Sequence, residues 1–323
     1  MQKKENIKEE VVILTATSGD TGKAALEGFS DVEGFKIVVY YPQNGVSDIQ
    51  QRQMAIQKGE NVSVIGIRGN FDNAQSGVKK IFGDTEFKEV LKKWGFLLSS
   101  ANSINIGRLI PQIVYYFYGY FQLVNKQKIK EGEKINIVVP TGNFGNILAA
   151  YYGKCMGLPI DRLICSSNEN NVLSDFLKTG VYDKQRELIL TESPSMDILV
   201  SSNLERLIFE ANKRDSKITS ELMEKLNKNG AYEISKESKE FLSDFYGDYA
   251  NQDEVYNAIK KVYDDKGYLI DTHTAVGYVV LNKYRANTLD YKEALIASTA
   301  SPYKFPRSIC KALGLDVKNN SDF

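Results

Sequence analysis

The feature that most constrains this chain is the alternation in its first hundred residues. Short apolar runs, "VVILTA", "FKIVVYYP" and "NVSVIGIRG", are each followed by a stretch of helical character: "GKAALEGFS", "SDIQQRQMAIQKG" and "DNAQSGVKKIFG". Runs this short and this continuously apolar suit strands buried on both faces. Strands separated by single helices cannot pair as hairpins. They need crossovers, so an α/β fold with parallel sheets flanked by helices is expected. Pro42 closes the second run. Ser47 and Asp72 are the expected N-caps of the next two helices, and Gly59 the expected stop of the first of them.

The pattern returns later. "KINIVVPTGNFGNILAAYYGKCMG" reads as a strand over 134–140, a glycine-bearing turn and a helix, and "RLICSSN" as another strand. From about 181 to 268 the composition becomes charged and rich in Lys and Tyr, with few β-branched runs. Stretches such as "TSELMEKLNKNG" and "NQDEVYNAIKKVYDDKG" predict amphipathic helices stopping at Gly, so a helical insertion is expected there. The α/β pattern resumes with "THTAVGYVVLNKY", "EALIAST" and "SPYKFPRSICKALG". The expected division is a smaller α/β lobe over 1–100 and a larger α/β domain over 101–323. The aromatic segment 104–126 carries Arg108, Gln112 and Gln122, which favours a helix packed across a sheet over a membrane helix. Pro111 falls in its first turns or kinks it.

Composition excludes several functions. The 323 residues hold 41 Lys and Arg against 41 Asp and Glu, so there is no basic excess for a nucleic-acid partner. No apolar run reaches the ~20 residues of a membrane span, and the charged start "MQKKENIKEE" lacks a signal-peptide core. Cys155, Cys165 and Cys310 are scattered, which suits a reducing cytosol, so a cytoplasmic location is expected. The single histidine, His273, rules out a multi-histidine metal site. If the chain is an enzyme, a cofactor is expected to supply the difficult chemistry.

Two turns stand where such a cofactor could bind. The first, Thr17 to Thr21, contains "GDTGKA" but fails the P-loop pattern, which would need Gly at Thr17 and Ser or Thr at Ala24. It also lacks the third glycine of a dinucleotide fingerprint. It offers hydroxyls and backbone N–H groups at a helix start, suited to a small anion such as a carboxylate. Asp20 would repel that anion, so it is expected to cap the helix or meet a cation. A plain N-cap without a ligand stays equally open. The second turn, "PTGNFGN", runs from Pro140 to Asn146 and could wrap N–H groups around a phosphate. Together they suggest an amino acid joined to a phosphate-bearing cofactor.

Five stretches in one order, "TATSGDTGKAALEGF", "SSANSINIGRLIPQIVYYF", "VPTGNFGNILAAYY", "SPSMDILVSSNLERLIFE" and "STASPYKF", resemble the threonine synthases. The resemblance implies a tryptophan-synthase-β-like, fold type II protein that uses pyridoxal 5'-phosphate. It implies the conversion of O-phospho-L-homoserine and water to L-threonine and phosphate. By the same resemblance Gly142, Asn143, Phe144, Gly145 and Asn146 match the cofactor phosphate cup. Thr299 matches the hydroxyl that bonds the pyridine nitrogen and leaves the ring unprotonated. Ser18, Gly19, Asp20 and Thr21 match the substrate-carboxylate turn, and Asn102, Asn105 and Arg108 fall near the substrate. Arg108 is either a partner for the leaving phosphate or a structural salt bridge. Asp271 and His273 are expected to cap a helix, and Lys23 to be a solvated lysine on a helix face.

The family's Schiff-base lysine belongs to a motif resembling "PTxxFKD", a few tens of residues before "TSGDTG". Only fourteen residues precede Thr15 here, and Lys3, Lys4 and Lys8 have no such context. No catalytic residue is therefore assigned, and the 323-residue chain is expected to have little or no synthase activity. The expectation includes a missing N-terminal domain or a homo-oligomer. Alternatives are a non-catalytic module that binds pyridoxal phosphate or a phospho-amino acid, a subunit of a split enzyme, and a related phospholyase.

Overall fold

The computed structural model describes residues 8–103 and 105–316. Lys3 and Lys4 lie outside the described residues. The chain forms two compact units, Met1–Arg108 and Leu109–Phe323.

In the first unit the elements alternate as β1 (Glu10–Ala16), α1 (Asp20–Phe29), β2 (Phe35–Pro42), α2 (Asp48–Ala55), β3 (Val62–Ile67), α3 (Phe71–Gly83), α4 (Thr85–Lys93) and β4 (Phe96–Ser100). The strands form one parallel sheet in the order β3-β2-β1-β4. Its core is Ile13, Leu26, Ile37, Val39 and Met54, all nearly inaccessible to water. Ser47 caps α2 in a reciprocal box with Gln50, as its sequence position predicts. The helix then ends at Ala55 and does not reach Gly59. Gly59 instead takes a left-handed φ of 137° in the following loop, where a Cβ would strike Ser30 Oγ. Asn70, not Asp72, caps α3, because its extended backbone lets its side chain accept the Asn73 amide. Asp72 lies in the first helical turn, where its charge suits the helix dipole. α4 and β4 do not stand out in the sequence, since α4 has no buried residue.

The second unit contains most of α5 (Ile106–Asn125), then β5 (Ile135–Pro140), α6 (Gly145–Cys155), β6 (Ile160–Ser167), α7 (Val172–Thr179), β7 (Val181–Asp183), α8 (Leu204–Ala211), α9 (Ser216–Asn229), β8 (Ala231–Glu233), α10 (Lys236–Phe241), β9 (Phe245–Tyr249), α11 (Gln252–Lys266), α12 (Thr272–Thr288), β10 (Ala294–Ile296) and α13 (Pro306–Leu313). Its main sheet is parallel, ordered β10-β5-β6-β9. β7 and β8 form a separate antiparallel pair. The segment from 181 to 268 is mostly helical, yet it also supplies β9 to the main sheet.

Alternation along the strands shows how this sheet is buried. Ile135, Ile137 and Val139 of β5 enter one core cluster with Leu163 and Cys165 of β6. Val138 and Ile164 enter a second cluster, with α11, α12 and α13. Helices therefore cover both faces, which is why these strands read as unbroken apolar runs. Asn136 is the polar exception. Its side chain donates to Asp290 at 3.0 Å and accepts the Arg162 amide at 3.1 Å.

α5 buries Leu109, Tyr116 and Tyr120, with Pro111 inside the helix. Ile110, Val114, Tyr115 and Tyr118 are more than half exposed, so only one face of this aromatic helix packs. No helix among the described residues is long and apolar enough to cross a membrane.

Candidate functional site

In the first unit, the candidate anion turn lies at the C-terminal end of β1, the usual place for a ligand in a parallel sheet. Thr17 is buried and its Oγ1 accepts the amides of Gly19 at 2.9 Å and Gly22 at 2.8 Å. This hydroxyl caps α1; Asp20 does not. Asp20 is the first helical residue, and its Oδ1 accepts a hydrogen bond of 3.0 Å from Gln50 Nε2. The Gln50 side-chain amide is thus one partner of the Asp20 carboxylate. Gly19 has φ 131°, and a Cβ there would lie 2.4 Å from the Gln50 side chain. Among the described residues, the Ser18 and Thr21 amides make no protein hydrogen bond. They remain available to an anion at the helix N-terminus. Gln50 is buried and wedged against this turn, a role the sequence signals only through its place in the Ser47 capping box.

Asn102 clamps the same strand end. Its Oδ1 accepts the Ala16 amide at 2.8 Å and its Nδ2 donates to Ala16 O at 2.6 Å. Asn105 Nδ2 donates to Ser100 O at 2.9 Å, and Arg108 Nη1 to Ala101 O at 2.5 Å. The structure therefore gathers Ser18, Gly19, Asp20, Thr21 and Asn102 around the C-terminal end of β1, with Asn105 and Arg108 bonded to the exit of β4. Lys23 lies on the α1 surface, paired with Glu27 at 2.8 Å and bonded to Gln57.

In the second unit, Gly142 to Asn146 wrap the C-terminal end of β5 and lead into α6. Among the described residues, the amides of Gly142, Phe144, Gly145, Asn146 and Ile147 make no protein hydrogen bond. The carbonyls of the turn are tied from behind. Gly142 O accepts from Ser201 Oγ at 2.8 Å, and Asn143 O accepts from Asn203 N and Nδ2 at 3.1 and 2.9 Å. Asn143 Oδ1 accepts from Ser202 Oγ at 3.0 Å. With the carbonyls held back, the N–H groups face the other way. Such a row at a helix N-terminus suits a phosphate dianion.

Phe144 holds this turn in a left-handed conformation, φ 61°. That costs ~1–2 kcal/mol for a residue with a side chain. Its ring is buried against Phe245 at 5.9 Å, and burial of an aromatic ring returns ~2–3 kcal/mol, so the strained turn persists. Asn146 accepts a bond from Tyr116 at its Oδ1 and donates from Nδ2 to Gln112 at 3.0 Å, which ties its side chain to α5. Burial pushes the Tyr116 hydroxyl above its usual range, so it stays protonated. A Cβ at Gly142 would lie 2.5 Å from Ser195 O. Ser195, Ser201, Ser202 and Asn203 thus support the cup, a role sequence reasoning missed.

Thr299 is exposed just beyond β10. β10 runs beside β5 in register, Ile296 opposite Val138, so Thr299 leaves the sheet at the same end as the cup. On the other side of β5, Ser166 stands opposite Pro140, and its buried hydroxyl has no partner among the described residues. An orphaned hydroxyl beside a cradle of open amides fits a polar ligand at this end of the sheet. Cys165 offers no competing nucleophile, since burial pushes its thiol up to about 12.

A parallel sheet covered on both faces, with a strand–turn–helix cradle of open amides and a hydroxyl at the exit of the neighbouring strand, fits a pyridoxal-phosphate protein of fold type II, and the comparisons with known proteins show that class. The family model "Pyridoxal-phosphate dependent enzyme" matches residues 1–298. Threonine synthase-like 1 of Homo sapiens is 43% identical over 318 residues, covering 96% of this chain and 42% of the relative. Threonine synthase of Saccharomyces cerevisiae is 39% identical over 324 residues, covering 96% of this chain and 62% of the relative. The crystal structure of threonine synthase from Brucella melitensis with bound pyridoxal phosphate superposes with a TM-score of 0.84 at 39% identity, over 98% of this chain and 65% of that one. The chain belongs to the pyridoxal-phosphate-dependent enzymes, and within them to the threonine synthase-like proteins. It spans less than two thirds of these relatives' length.

Proposed function

We propose that this chain carries the phosphate cup and substrate-carboxylate turn of a threonine synthase, the phospho-lyase that converts O-phospho-L-homoserine and water to L-threonine and phosphate. The observation that carries this reading is the set of open amides of Gly142, Phe144, Gly145, Asn146 and Ile147, with the Gly142 and Asn143 carbonyls tied back to Ser201 and Asn203. Those amides would hold the cofactor phosphate, and the Thr299 hydroxyl its pyridine nitrogen. The bound cofactor supplies an electron sink that lets protons leave carbons next to the substrate amine. The Ser18 and Thr21 amides would take the substrate carboxylate, in a turn fixed by Thr17 and Asn102. Arg108 would meet the leaving phosphate, whose geometry a guanidinium matches.

No lysine before Thr15 stands in the cofactor-lysine motif. General acid–base help is worth ~100- to 10,000-fold per step, so a sample without such a lysine would turn over slowly. The test is to incubate the purified chain with pyridoxal phosphate, reduce with borohydride and map pyridoxyl-lysine by mass spectrometry. O-phosphohomoserine turnover is measured on the same sample. Saturable cofactor binding without one stoichiometric labelled lysine, and without threonine production, is expected. A single labelled lysine with rapid threonine formation would mean that another lysine holds the cofactor and would overturn that expectation. Absence of cofactor binding would overturn the cup itself.

A further inference from the structure

The chain's single histidine is nearly inaccessible to water, at the second residue of α12. Asp271, not His273, caps that helix. Its Oδ1 accepts the amides of His273 at 2.8 Å and Thr274 at 3.2 Å. The same oxygen lies 3.2 Å from His273 Nδ1. Burial raises the Asp271 carboxyl, but the bonds from His273 and Thr274 outweigh this and hold it below its usual value. It is therefore an acceptor only. On the far side of the ring, the Ser195 amide points at His273 Nε2 across 3.3 Å. A backbone amide can only donate. Carboxylate and amide together fix the ring as the neutral form with its proton on Nδ1 and Nε2 bare.

Ser195 is the residue whose carbonyl lies against the Cα of Gly142. The link runs from Asp271 through the imidazole and the Ser195 backbone to the first glycine of the cup. A second arm leaves the same cap: Thr274 Oγ1 bonds Asp271 Oδ2 and lies 3.2 Å from Ser298 Oγ, next to Thr299. One helix cap thus reaches the supports of both poles of the candidate cofactor site.

We propose that His273 is a positioning residue for the cofactor's phosphate: its bare Nε2 holds the Ser195 N–H, and the Ser195 carbonyl, on the next peptide, packs against Gly142 and keeps the cup amides in place. The proposal rests on the pyridoxal-phosphate reading above, and its tests separate the two. The ring also packs on Phe305, with centroids 5.2 Å apart, so a purely packing role is the competing explanation. Two variants discriminate. His273→Leu keeps apolar volume and removes the acceptor, whereas His273→Gln keeps an acceptor at similar reach.

Without any ligand, hydrogen exchange at Ser195 is expected to quicken in His273→Leu and to stay near wild type in His273→Gln. Because there is one histidine, the ¹⁵N imidazole resonances need no assignment. They are expected to show a protonated Nδ1 and a bare Nε2. In equilibrium dialysis, His273→Leu is expected to bind pyridoxal phosphate about tenfold more weakly, the effect of one lost acceptor beneath a buried donor. It should bind pyridoxal, which lacks the phosphate, as the wild type does. His273→Gln should stay within about threefold of the wild type for both. The reverse order, with Leu tolerated and Gln damaging, would make His273 a packing residue and overturn the proposal, as would a protonated Nε2. A wild-type chain that binds pyridoxal phosphate no better than pyridoxal would overturn the cofactor reading, while the exchange and ¹⁵N results still decide the role of His273. Thermal unfolding of each variant separates loss of the fold from loss of the brace.

Discussion

Gly142→Ala tests how tightly the cup is built. The added Cβ would lie 2.5 Å from Ser195 O and 3.5 Å from Met196 Cα. A comfortable carbon–oxygen contact is about 3.3 Å, so about 0.8 Å of movement is required. Ser195 cannot yield easily, because its amide is held by His273 and Met196 N bonds Ser193 O at 2.9 Å. The movement falls on the cup. Overpacking of this kind costs about 1–3 kcal/mol of stability. Displacing the amide row by most of an ångström sacrifices at least one charge-assisted bond to phosphate, worth about 1.5–3 kcal/mol, or roughly 10- to 150-fold in affinity. Gly153→Ala is the matched control. Its Cβ would meet nothing nearer than Leu158 Cδ2 at 3.6 Å, inside α6, so it should stabilise by about 0.5–1 kcal/mol. Urea unfolding and equilibrium dialysis of pyridoxal phosphate read both effects. If Gly142→Ala were as stable as wild type and bound the cofactor equally well, the Ser195 contact would not be what shapes the cup.

Asn102→Ala would leave the buried Ala16 amide and carbonyl without their side-chain partners, and should cost about 2–4 kcal/mol in urea unfolding; a loss below about 0.5 kcal/mol, the usual scatter of surface changes, would deny the clamp. Asn203→Ala removes the Nδ2 bond to Asn143 O and should weaken pyridoxal phosphate binding about fivefold, with pyridoxal unaffected; equal losses for both ligands would point to general unfolding. Burial pushes the Asp197 carboxyl up to about 6 from 3.8, against the bonds it accepts from Thr191, Asn168 and Asn170. The folded state then holds that proton more tightly than the unfolded state. The stabilisation is complete below the unfolded value and is lost as pH rises through 6, by about 1 kcal/mol between pH 5 and 7. Asp197→Asn should flatten that part of the stability profile, and an unchanged slope in the variant would assign it to other groups.

The regular elements were legible because their causes are local. Apolar runs at β1, β2, β3, β5 and β6 and glycine stops at Gly230 and Gly267 all appear at the expected places. Cap identity was less legible. Asn70 and Asp72 are both good caps, and only the backbone angles choose between them. β9 was hidden in a charged stretch, since its alternating "FYGDY" gains strand character by pairing with β6.

The sequence by itself determined the class of fold, the two glycine turns and the likeness to the threonine synthases. These depend on residue order and on which residues tolerate a left-handed or crowded backbone. Only the tertiary structure decided what supports the turns. Ser195 lies about fifty residues from the cup, Ser201 and Asn203 lie 59 and 60 from the residues they bond, and Gln50 lies thirty from Asp20. It also decided that Asp271 caps α12 while His273 turns its bare nitrogen toward Ser195. A hydrogen bond between distant segments leaves no periodicity in either one. It exists only once the hydrophobic burial of β5, β6 and α12 has brought their ends together.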